Sequence, residues 1–80
     1  MTASIRIKAD DARRLKSDTA FTSFLQEVRD DQVRVFMTSG ASDVEAREEA
    51  HGIVRALEQI EMKLDAAMTA ETFLDRKEGK

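Results

Sequence analysis

After Gly40 the chain contains no proline, and the only glycine before Gly79 is Gly52, so nothing compels a helix begun there to stop before about Asp75. Along it, Ala50, Ile53, Leu57, Ile60, Leu64, Ala67 and Leu74 fall at heptad positions. Val54, Glu61 and Met68 stand beside them, and Glu71 is the one charged residue within the row. The stripe is long and narrow, as in a coiled coil. Side-chain ion pairs do not explain this helix: Glu45 and Glu49 repel one another slightly, and Arg47 and Glu48 are neighbours that do not face each other. Packing of the apolar row has to hold it.

The start of this helix is written into the residues before it. Gly40 suits the left-handed conformation that ends helices, and Ser42 with Glu45 three positions later has the spacing of a capping box, so the long helix is predicted over residues 43–75. Upstream, Phe21, Phe24, Leu25, Val28, Val35 and Phe36 recur at helical spacings, with Gln32 where the row would otherwise continue. Ser17, Asp18 and Thr19 can each cap a new helix, which places the second helix over 19–38. A short first helix is predicted over 10–16, acidic at its start and basic at its end through Arg13, Arg14 and Lys16. Residues 1–9 read as an extended arm, because Ser4 to Lys8 alternate polar and apolar while no second strand exists to pair with them.

The fold class expected is therefore all-α: one domain, an antiparallel helical hairpin with a long C-terminal helix, a short N-terminal helix and an extended N-terminal arm. Composition agrees, with charged residues at 36%, aromatics at 5%, and no proline or tryptophan. A chain of 80 residues builds a thin core. With no cysteine it has neither disulfides nor thiolate metal sites to compensate, which leaves regular helix packing or a second subunit.

Helix lengths sharpen that point. At 1.5 Å per residue the third helix would span about 48 Å and the second about 30 Å, so a hairpin of the two leaves the far half of the long helix overhanging. Leu64, Ala67, Met68, Phe73 and Leu74 lie in the overhang. Ile5, Ile7 and Leu15 are the apolar residues able to fold back over it, and three side chains are few. Burying Phe24, Phe36, Ile53 and Leu57 from all sides also requires another layer, which symmetric pairing of two hairpins into a four-helix bundle would provide; the alternative is a monomeric three-helix fold in which the first helix closes the groove.

The residues give little basis for catalysis. His51 is the single histidine, so within one chain there is no His-His metal pair and no Ser-His nucleophile pair. Glu48 lies one turn before it, and a packed or solvated histidine is the plainer reading. Asp10-Asp11, Asp30-Asp31 and Glu48-Glu49 are adjacent carboxylates that splay apart on a helix, and the three glycines form no phosphate-binding loop. Expected catalytic residues, cofactors and metals are therefore none. The net charge of −3 provides no positive field to gather phosphates, making nucleic acid a poor partner. Two basic clusters, Arg6 to Lys16 and Arg76, Lys77 and Lys80, suit helix C-termini. No apolar run is long enough to span a membrane and no secretory leader is evident, so a cytoplasmic protein is expected.

The run Asp11-Ala12-Arg13-Arg14-Leu15-Lys16-Ser17-Asp18-Thr19-Ala20-Phe21 is followed by Phe24, Leu25, Val28 and Arg29, then by a turn and Ser42-Asp43 opening a helix with Arg47, Arg55, Ala56 and Leu57. This resembles small helical-hairpin proteins encoded in bacteriophage and prophage structural gene clusters. The likeness covers about residues 11–64, and it marks no catalytic residue. It implies a non-enzymatic virion-assembly or virion-component role, exercised through contacts with a second copy or a larger virion protein, in the host cytoplasm or the virion. The residues expected to make those contacts are Leu57, Ile60, Leu64, Met68, Phe73 and Leu74, with Phe21, Leu25 and Val28 holding the hairpin. The alternative is a small regulatory or inhibitory module that binds a host protein or nucleic acid.

Overall fold

The computed structural model describes residues 2–79; Met1, at the head of the expected arm, and Lys80, in the distal basic cluster, lie outside the described residues. Three helices account for nearly all of it: α1 (Thr2–Ser17), α2 (Thr19–Thr38) and α3 (Val44–Gly79). The fold is all-α, with a long C-terminal helix packed against two shorter N-terminal ones. The expected arm is corrected. Residues from Thr2 onward are helical, because Ile5, Ala9 and Ala12, at i, i+4 and i+7, form a row that packs on α3, with Ala9 and Ala12 buried. Ile7, the other half of the apparent strand alternation, points outward.

Both N-terminal helices run antiparallel to α3 and take successive halves of it. Arg6 reaches Glu71, Asp75 and Glu78, whereas Lys16 reaches Asp65. Further along, Arg29 pairs with Glu61, and Arg47 at the start of α3 bonds to Gly40 and Ala41 at the turn. α3, at 36 residues, is about 54 Å long by the helix rise. The molecule measures 56 × 22 × 17 Å, one helix long and two helices across. The overhang expected from helix lengths is therefore filled: α1, with 16 residues rather than seven, extends the track of α2 along the distal half of α3.

Asp18 makes this track possible. Continued without a break, the α1 row Ile5, Ala9, Ala12, Lys16 would pass through Thr19, Ser23, Gln26 and Asp30, all polar. α2 instead turns Phe21, Leu25, Gln32 and Val35 toward α3, two positions out of phase with that row. One extended residue, Asp18 at φ −78° and ψ 111°, supplies the shift, and its carboxylate accepts the Phe21 N–H at 3.0 Å to cap α2.

The turn after α2 also differs from expectation. Gly40 is not left-handed; α2 ends because Ser39 is extended (φ −78°, ψ 144°) while its N–H still bonds to the Val35 carbonyl. In place of a Ser42–Glu45 capping box, the Asp43 carboxylate accepts the Gly40 N–H at 2.9 Å, and the Asp43 carbonyl accepts the Arg47 N–H at 3.2 Å. Asp43 thus closes the turn and α3 begins one residue later.

Two helices cannot enclose much. Among the described residues the buried apolar ones are Ala9, Ala12, Ala50 and Leu57, and no large side chain is fully buried. Two substitutions test this account. Gly52 stands in mid-α3 with open space where a Cβ would lie, so Gly52→Ala should raise stability by about 0.5–1 kcal/mol in a urea titration. Asp18→Ala removes the α2 cap and should cost about 1 kcal/mol in the same assay; an unchanged midpoint would show that the junction is not held by that carboxylate.

Candidate interaction surface

The hairpin has two edges, and the spacing of residues on α3 separates them. Ala50, Leu57, Leu64 and Glu71 form the central row under α1 and α2. Four residues on from that row, Glu61, Met68 and Asp75 lie on one edge; three residues on, Ile53, Ile60, Ala67 and Leu74, at strict seven-residue spacing, lie on the other.

The first edge is ionic. Arg6 bonds to Asp75 at 2.9 Å and Glu78 at 3.1 Å, and approaches Glu71 at 3.5 Å. Arg13 also pairs with Glu71, and Lys16 with Asp65. Arg29 bonds to Glu61 at 2.8 Å. The hydrogen bond that Arg6 donates to Asp75, with the fields of Asp75 and Glu78, raises the Arg6 pKa above the ordinary arginine value against opposing desolvation. Among the described residues, every ion pair joining two helices uses the central row, this edge or Asp65 just beyond it; none crosses the Ile53 to Leu74 row. Glu71, the charged intruder in the heptads, is only 15% exposed in its side chain and is satisfied by two arginines.

The second edge is apolar. Beyond the Ile53 to Leu74 row, Ala56 and Ala70 extend it outward on α3, with Lys63 and Lys77 interleaved. Because the helices are antiparallel and Arg29 marks the ionic edge of α2, the opposite side of α2 carries Phe24, Val28 and Val35 at i, i+4 and i+11. Phe24 is 66% exposed, and Val28 and Ile60 are exposed as well. On α1, Ile5 closes the strip, lining an open groove with Ala70, Phe73, Leu74 and Lys77.

The expected contact residues divide accordingly. Leu57 is 6% exposed, held in the chain's own central row and unavailable to a partner. Leu64 is half-buried in a groove with Phe21, Leu25 and Lys16, and Met68 is half-buried on the ionic edge. Ile60 and Phe73 are exposed and Leu74 half-buried, and these three belong to the apolar edge or its rim. Sequence reasoning overlooked how Phe24, Val28 and Ile53 join them. The available signal was the contrast between an unbroken aliphatic row at 53, 60, 67 and 74 and the mixed row at 54, 61, 68 and 75.

His51 lines a shallow surface groove with Arg55, Glu58, Gln59 and Met62, and among the described residues no three metal-ligating side chains converge. No helix is long and apolar enough to cross a membrane among the described residues. No family model matches the chain, and neither a curated protein nor a solved structure does.

The ionic edge predicts a local salt effect. α1 buries only alanines fully and relies on charge, so raising ionic strength should speed amide hydrogen exchange in α1 while α2, resting on Phe21 and Leu25, changes little. Equal sensitivity of the two helices would contradict this division.

Proposed function

We propose that this chain is a non-enzymatic structural or assembly protein of the phage type, acting through helix-mediated contacts with other protein chains. One observation carries the reading: the elongated chain leaves far more surface uncovered than a compact molecule of its size, and large apolar side chains are part of it. Its accessible surface is 6129 Å2, against about 4,850 Å2 for a compact monomer of 9.0 kDa. Its radius of gyration is 17.3 Å, where about 12 Å is usual for 80 residues. The surplus of about 1,300 Å2 exceeds the roughly 800 Å2 that each partner contributes to an ordinary stable interface. Part of that surplus is the apolar edge, where Phe24, Val28, Ile60 and Phe73 are among the exposed large residues.

The phage setting rests on the resemblance over residues 11–64, and the host cytoplasm or the virion is the location proposed with it. The alternative, a charge-led inhibitor or nucleic-acid binder, loses support from the ion pairs. Arg6, Arg13, Arg14 and Lys16 are all engaged with the chain's own carboxylates, so the N-terminal basic cluster is largely neutralised internally.

The test is the solution mass of the purified chain, measured by light scattering during size exclusion, alone and mixed with the products of flanking genes. In at least one of these conditions the mass should exceed that of the 9.0 kDa chain. The double variant Phe24→Asp, Ile60→Asp should return it to the free chain while retaining helicity by circular dichroism. A wild-type chain that stays at its own mass in every mixture would overturn the reading.

A further inference from the structure

We infer that the partner on the apolar edge is a second copy of this chain, laid antiparallel, end over end, about a two-fold axis perpendicular to the long axis near the middle of α3. The inference rests on the assembly reading above and names its occupant and orientation.

Three observations lead to it. The edge runs along α3 from Ile53 to Leu74, with Phe24 and Val28 beside its proximal half and Ile5 beside its distal end. It is long, flat and built of aliphatic side chains at heptad spacing, which is what the equivalent edge of another such hairpin would pack against. A two-fold operation makes one patch its own complement, and face-to-face contact of two hairpins yields a four-helix bundle in which each apolar edge is covered. The uncovered surplus of about 1,300 Å2 per chain is of the size such a contact needs.

Charge decides the direction. Two hairpins can meet face to face with like ends together or with opposite ends together. The end formed by α1 and residues 65–79 has seven basic and six acidic side chains, whereas the end formed by residues 18–64 has five basic and ten acidic. Like-end pairing would lay two strongly acidic ends on each other. End-over-end pairing lays each acidic end on the α1 end of its partner, which carries a net charge of about +1 and where Lys8 is exposed. Lys63 and Lys77, at the margin of the edge, can then reach the partner's outer acidic residues while their stems cover apolar surface.

The test uses the full chain, which has no native cysteine, with spin labels at Lys63→Cys or Lys77→Cys and distances read by pulsed electron paramagnetic resonance. Lys63 lies next to the inferred axis, so its labels should be close. Lys77 lies about 23 Å from the middle of α3 by the helix rise, so its labels should be about 45 Å apart. Short distances at both positions mean like-end pairing and overturn the orientation. Labels that show no dipolar coupling in a chain of monomer mass overturn the dimer itself. If that chain still binds a flanking-gene product, and Phe24→Asp with Ile60→Asp abolishes the binding, self-pairing alone is wrong and the assembly reading stands; if nothing binds, both fall.

Discussion

The structure depends on a change of helical phase at Asp18. A single helix over residues 2–38 would place Ile5, Ala9 and Ala12 against α3 and then swing Ser23, Gln26 and Asp30 into the same position. Hydroxyl, amide and carboxylate groups on an apolar row would cost more than an uninterrupted backbone gains. One extended residue, stabilised by its own carboxylate at Phe21 N–H, lets two helices share one partner from end to end. Length, topology and the division of α3 into two halves all follow from that step.

A rod two helices wide has no interior in the usual sense. Each helix can bury one row, and close approach favours alanine in it, so Ala9, Ala12 and Ala50 dominate the buried set. Alanines contribute little burial energy. On α1 the remainder comes from arginines that clamp Glu71, Asp75 and Glu78 from one side. Such pairs are partly solvated and individually weak, but they position α1 without large side chains between the helices. Several larger apolar residues, Phe24, Val28 and Ile60 among them, sit instead on the opposite edge and stay exposed.

Much of this was legible in the residues. The second and third helices follow from unbroken periodicity and the absence of proline, and their antiparallel pairing follows from a short turn. The first helix was misread because Ile5 and Ile7 satisfy a two-residue period as well as Ile5, Ala9 and Ala12 satisfy a helical one, and no capping residue precedes it. Shortening α1 created an overhang that the folded chain does not have. Leu57 and Ile60 were assigned together as partner contacts, yet one faces inward and the other outward. A seven-residue row cannot reveal which flank the chain's own helices occupy. That is fixed by three-dimensional pairing, here by the reach of Arg29 to Glu61.

The separation of charge and apolar surface onto opposite edges has its own consequence. Apolar packing alone is indifferent to direction, since an aliphatic row with a seven-residue repeat can slide or reverse with modest loss. Charges placed on that same row would fix a direction but at the cost of desolvation on burial. This chain keeps its inter-helix ion pairs off the apolar row and distributes net charge unevenly along the rod, acidic toward the turn and nearly neutral toward α1. Orientation can then be set by long-range fields from side chains that stay in water, while the contact itself stays apolar. In the end-over-end pairing we propose, adhesion and direction would fall to different residues: a change in Phe24 or Ile60 would alter how tightly the second copy is held, and a change in the acidic residues around Asp43 to Glu49 would alter which way round it sits.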